Sequence, residues 1–105
     1  MMTTDKLAEL YKVVLRREEE YDIIKEKLAH TPRSDRLAYE SVRRQVESAR
    51  ETLASAQREF GTGMTSYGKI HRNIPFYRKS KTFEVKLQRK TVKFYFNQRG
   101  IPTIA

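Results

Sequence analysis

The chain contains no cysteine, and its 105 residues include only two histidines. The first absence excludes disulfides, zinc–thiolate sites and thiol nucleophiles, and it fits a reducing compartment. His30 and His71 are far apart in sequence and neither sits in a ligand-spaced cluster, so no metal and no other cofactor is expected. No apolar run approaches the roughly 20 residues of a membrane span. The amino terminus MMTTDKLAEL also lacks the basic-then-apolar pattern of a secretory signal. A soluble, cytoplasmic protein is expected. Glycine-rich phosphate loops, a nucleophile elbow and paired-histidine motifs are missing as well, so the expectation is a protein that is not an enzyme.

One further absence is local. Residues 61–105 contain a single acid, Glu84, against ten Lys and Arg, whereas residues 1–60 carry twelve charges of each sign. The formal net charge of +9 therefore belongs entirely to the carboxy-terminal part. Mixed charges along the chain would suffice for solubility, whereas a basic block raises a positive field that draws phosphate or carboxylate.

Residues 4–29 have helical periodicity, with Leu7, Leu10, Val14, Tyr21, Ile24 and Leu28 at steps of three and four, interrupted at Arg17. The spacing predicts a helix about 39 Å long that stops before Pro32. Thr31 or Ser34 is then placed to cap a second helix. That helix carries a seven-residue repeat whose seam is Tyr39, Val42, Val46, Ala49, Leu53, Ala56 and Phe60, a strict three-four alternation of the coiled-coil kind. Gly61 is expected to end it. Two helices joined by a short turn form an antiparallel hairpin over residues 4–60. Tyr11, Val13, Leu15 and Ile23 lie off the main stripe of the first helix and need cover, either from the strands or from another protomer. Arg17 is expected to pair with an acid of the second helix or to fix register. Glu18, Glu19, Glu20, Asp22 and Glu26 read as a solvated face, with Arg16 and Glu20 as an ordinary pair.

The period then changes. Thr82–Asn97 alternates strictly on both sides of a turn. The expected register sets Leu87 opposite Val92, Val85 opposite Phe94 and Phe83 opposite Phe96 on one apolar face. Lys86 then lies beside Lys93 on the other face, with Glu84 beside Tyr95. A further strand is expected from Thr65–His71 or from the tail around Ile101, and Ile74-Pro75-Phe76-Tyr77 reads as an extended connector.

The fold expected is α+β: a long, coiled-coil-like antiparallel helical hairpin followed by a small basic antiparallel β-sheet. Residues 1–60 would serve oligomerisation and residues 61–105 binding, within one folding unit. A homo-oligomer is expected because 38% apolar and 33% charged residues leave a limited core, and Val42, Val46, Ala49, Leu53, Ala56 and Phe60 are the positions expected to serve oligomerisation or helix packing.

Basic residues interleaved with aromatics carry the functional expectation. Phosphates are met by Lys and Arg, and unpaired bases stack on aromatic rings. The residues assigned to nucleic acid, DNA or RNA, are Arg78, Lys79, Lys81, Lys86, Arg89, Lys90 and Lys93, with Tyr95 for stacking. Like charges at Lys86 and Lys93 directly across a strand pair would be relieved by an anion lying over them. With about six phosphates met, the log–log salt slope on duplex DNA would be near −5. The alternative is a small protein-directed inhibitor or adaptor, of the kind a phage or other mobile element encodes, that binds an acidic or nucleic-acid-binding protein surface. A third reading is a pocket between protomers for a small phosphorylated ligand.

Overall fold

A computed structural model describes residues 2–71, 81–97 and 100–105, with the backbone alone at positions 70 and 71. Two helices, α1 (Thr4–Ala29) and α2 (Arg36–His71), are followed by strands β1 (Phe83–Lys86), β2 (Thr91–Phe96) and β3 (Pro102–Ile104). The helices pack antiparallel, and the strands form one antiparallel sheet in the order β1-β2-β3. The molecule is elongated, 61 × 24 × 15 Å.

Helix α1 has the bounds its periodicity predicts. Thr3 caps it by accepting a hydrogen bond from the Lys6 amide at 3.2 Å. At the other end the Thr31 hydroxyl donates to the Lys27 carbonyl, and Asp35, rather than Thr31 or Ser34, caps α2 by accepting from the Ala38 amide at 3.2 Å. An Asp is well placed there, since its charge meets the positive end of the helix dipole.

Helix α2 does not stop at Gly61. It continues to His71 because the packing seam continues: Phe60, Gly63 and Tyr67 extend the three-four alternation, and all three are buried. The tertiary gain outweighs the intrinsic helix cost of glycine, about 1 kcal/mol each. Gly63 has a positive role, because a Cβ at that position would lie 2.8 Å from Leu10 Cδ1 and 3.4 Å from Leu7 Cδ1. The close crossing of α1 and α2 at this level depends on a missing side chain.

The core is aromatic and sits at one end of the hairpin. Leu7, Ala8 and Val14 of α1, Ala56, Phe60 and Tyr67 of α2, and Phe83, Val85, Phe94 and Phe96 of the sheet form one buried cluster. Tyr11, off the main stripe of α1, meets Phe94 edge-on at 4.7 Å and Phe60 at 5.2 Å, while Phe83 and Phe94 stack at 5.6 Å. The strands thus cover Tyr11 and Leu15, whereas Val13 remains 38% exposed. Beyond the sheet the two helices run on as an arm in which Val42 is buried, Val46 and Ala49 are half-buried and Leu37 is exposed. Arg17 pairs at 2.9 Å with Glu20 of its own helix, not with α2, which also removes Glu20 from the expected pair with Arg16.

The sheet register differs from expectation by two residues. Phe83 faces Phe94, Glu84 faces Lys93, Val85 faces Val92 and Lys86 faces Thr91. The Leu87 amide donates to the Lys90 carbonyl at 2.8 Å, so the loop is the tighter two-residue Gln88-Arg89. A shift of two keeps every side chain on its own face, which is why the apolar face survives the correction. The expected direct Lys86–Lys93 pair does not form, so no directly opposed like charges await relief by an anion. Of the two sources considered for a further strand, the tail supplies it. Asn97 and Ile101 close the β2–β3 turn through the Asn97 amide and the Ile101 carbonyl at 3.1 Å, and Gly100, at φ +75°, packs against the Tyr67 ring.

Candidate nucleic-acid interface

The tip of the β1–β2 hairpin is held to α1 by two carboxylates spaced seven residues apart, and therefore on one helix face. Glu19 Oε1 accepts from the Gln88 amide at 2.6 Å and Glu19 Oε2 from the Arg89 amide at 3.1 Å. Two turns further on, Glu26 receives both terminal nitrogens of Arg89, at 2.9 and 2.7 Å. This bidentate fork holds the Glu26 carboxyl below its ordinary range and raises the Arg89 guanidinium. The face that reads as solvated in the sequence is thus a docking strip for the hairpin.

A groove of about 720 Å³ opens beside this contact, with Leu15, Leu87, Val92 and Ile104 as apolar lining and a wall of mixed charge, the acids Glu18, Glu19, Asp22 and Glu26 with the cations Lys25, Arg89 and Lys90. Burial first, and then Asp22, pushes the Glu18 carboxyl up, while Lys90 works in the opposite direction. Burial and then Glu18 raise the Tyr11 phenol.

The residues expected to meet phosphate separate into three groups. Arg89 and Lys81 are engaged inside the molecule: Lys81 Nζ lies 2.6 Å from Asp5 and 5.1 Å from the Phe83 ring centre. Lys86, Lys90 and Lys93 are exposed and make no ion pair among the described residues. Arg78 and Lys79 lie outside the described residues, as do the connector residues Phe76 and Tyr77. On the solvent face of the sheet, Lys93 and Tyr95 stand on the central strand, with Glu84 and Lys86 on β1 and Thr103 on β3. Lys86 and Lys93 are diagonal neighbours in this register, about 7–8 Å apart by sheet geometry. Tyr95 is half-buried and lies opposite Thr103.

Val42, Ala56 and Phe60 of the α2 seam are buried, and Val46, Ala49 and Leu53 are half-buried; the seam faces α1 of the same chain. No group of His, Asp or Glu able to hold a metal ion occurs among the described residues, and no described helix is long and apolar enough to cross a membrane. Sequence reasoning missed Glu19 and Glu26 as partners of the hairpin. Their seven-residue spacing was the available signal, and it becomes readable only once the two-residue loop is known. No protein-family model matches the chain, and neither the curated proteins nor the solved structures contain a match to it.

Proposed function

We propose that the protein is a non-enzymatic nucleic-acid-binding module whose contact surface is the solvent face of the sheet. The observation that carries this reading is the charge that remains after internal pairing. The acids Asp5, Glu19 and Glu26 of α1 are already engaged with Lys81 and the hairpin, and Lys90 lies on the groove beside Glu18, while Lys86 and Lys93 stay exposed on the solvent face with Glu84 as the one acid of β1 beside them. A surplus of cations beside an aromatic ring suits a phosphate backbone with bases attached. The helical arm beyond the sheet, where Leu37 of α2 is left exposed, is where copies of the chain would associate.

The pairing of Lys81 and Arg89 and the position of Lys90 beside Glu18 lower the expected number of phosphate contacts from six to about three, so the log–log salt slope should fall between about −2 and −3. Fluorescence anisotropy with mixed-sequence DNA and RNA at several salt concentrations tests this, together with solution mass in the presence and absence of the oligonucleotide. Replacing Lys86 and Lys93 together by Ala should flatten the slope by between about 1 and 2, and Arg89→Ala should leave it unchanged. An absence of binding to any oligonucleotide, or a slope that responds to Arg89 and not to the lysines, would defeat the proposal.

A further inference from the structure

We infer that the free edge of β1 is a self-pairing surface, on which a second copy of the chain adds its own β1 antiparallel, with Glu84 of each copy opposite Lys86 of the other. The inference depends neither on the nucleic-acid reading nor on the helical arm, and it names a separate contact between copies. β1 has a neighbouring strand on one side alone. The Leu87 amide donates to the Lys90 carbonyl, so in the antiparallel ladder Leu87, Val85 and Phe83 turn their backbone groups toward β2, while Glu84 and Lys86 turn theirs away. The other side of β2 agrees: Lys93, which faces Glu84, gives its carbonyl to the Ala105 amide of the tail. The outward amides and carbonyls of Glu84 and Lys86 meet no backbone partner among the described residues. The opposite edge of the sheet is blunted, because Pro102, one of the outward-turned residues of β3, has no N–H.

Charge selects both the occupant and the register. Two identical edges pair about a two-fold axis, and the outward-turned groups allow that axis to sit at Glu84, at Val85 or at Lys86. An axis at Glu84 sets two carboxylates face to face, and one at Lys86 sets two ammonium groups face to face. An axis at Val85 instead places Glu84 opposite the partner's Lys86 and Lys86 opposite the partner's Glu84. Each of these pairs can then exchange both of its amide–carbonyl bonds. Phe83 lies across from the partner's Leu87 in the same register, so the apolar face runs on unbroken. Both charges are available: Glu84 faces Lys93 of its own chain without an ion pair to it, and Lys86 faces the uncharged Thr91. Lysines alone on an edge repel a second copy. A Glu and a Lys two positions apart complement themselves. The edge is short, so the dimer belongs to the weak, concentration-dependent class.

The test follows solution mass by sedimentation equilibrium, and amide hydrogen exchange at Glu84 and Lys86, in the full chain without nucleic acid from about 1 µM to about 1 mM. Mass should rise with concentration, and both amides should gain protection in step with it. Lys86→Glu should weaken the association at least about fivefold, since two carboxylate pairs then oppose each other across the junction. Glu84→Lys should do the same, and the double exchange Glu84→Lys/Lys86→Glu should restore the parent's association. Recovery of that kind belongs to the register centred on Val85, because the other two oppose like charges before and after the exchange. Leu37→Glu on the arm should leave exchange at Glu84 and Lys86 unaltered. Amides at Glu84 and Lys86 that exchange at one rate across the whole range overturn the inference, whether fast on an open edge or slow on one the chain covers itself. So do single exchanges without effect, or a double exchange that melts as the parent does and fails to recover association. Loss of oligonucleotide binding leaves the inference standing.

Discussion

Replacing Glu19 by Ala should loosen the hairpin tip without disturbing the cations proposed to meet phosphate. Two-residue hairpin loops ordinarily use primed turns with positive φ, because these match the twist of the strands. No described residue other than glycine has positive φ, so Gln88-Arg89 is not such a turn, and its amides depend on an outside acceptor. Glu19 supplies it for both. The nearest measured analogue is loss of a helix cap, which costs roughly 0.5–2 kcal/mol for one backbone amide. With two amides and partial solvent access, Glu19→Ala should lose roughly 1–2 kcal/mol. For a domain of this size each kcal/mol lowers Tm by about 4–8 °C, so a drop of roughly 5–15 °C is expected by circular dichroism. Glu19→Gln keeps one acceptor oxygen and should fall about midway. Amide hydrogen exchange gives the local readout: Gln88 and Arg89 should lose protection in Glu19→Ala, while Val85 in β1 keeps most of its own. Unchanged melting together with unchanged exchange at Gln88 and Arg89 would refute the clamp.

Gly61 and Gly68 lie in α2 with open space where a Cβ would be, so Gly→Ala at either should stabilise by about 0.4–1 kcal/mol in urea unfolding. Gly63→Ala should destabilise by about 1–3 kcal/mol through crowding of Leu10, and Gly100→Ala should also destabilise, since it meets both positive φ and the Tyr67 ring. Phe94, fully buried between Tyr11, Phe83 and Phe96, should cost about 3–5 kcal/mol as Ala. That is a large share of what a small domain has, and near-ultraviolet circular dichroism should show the tyrosine signal collapse. The acid limb of a Tm–pH profile should separate Glu26 from Glu18. Glu26, lowered on folding, contributes stability above about pH 4.3 that is lost as pH falls through its folded value, so Glu26→Gln should lower Tm at pH 7 and converge with the parent in acid. Glu18 is raised on folding, so its advantage exists in acid and disappears as pH rises through its folded value; Glu18→Gln should melt higher at pH 7 and converge below about pH 4.

The parts of this fold that were legible in the sequence are those set by period alone. The 3.6-residue stripe marked α1 to the residue, the seven-residue seam marked the face of α2, and strict alternation marked the apolar face of the hairpin. Where the outcome depended on contacts distant in sequence, local rules misled. Gly61 satisfies every local criterion for a helix stop, yet Phe60, Gly63 and Tyr67 carry the seam past it because α1 and the Gly100 turn are there to bury them. The register slipped by two because alternation fixes the faces and leaves the loop length open, and the turn is settled by Glu19, some seventy residues away in sequence.

That last error bears directly on function. Net charge counted along the chain treats Lys81, Lys86, Arg89 and Lys93 as equivalent, but the fold sorts them. Arg89 and Lys81 meet acids of α1, so part of the basic block attaches the sheet to the neutral helices. Lys93 faces Glu84 and Lys86 faces Thr91, so the charge on the solvent face is not destabilising on its own and requires no anion to be tolerated. An outer face with little internal repulsion to relieve should bind polyanions moderately and release them readily as salt rises. On that face only Lys86 and Lys93 stand against Glu84, so replacing Glu84 by Gln should steepen any salt dependence of polyanion binding, and an unchanged slope would remove the solvent face from consideration.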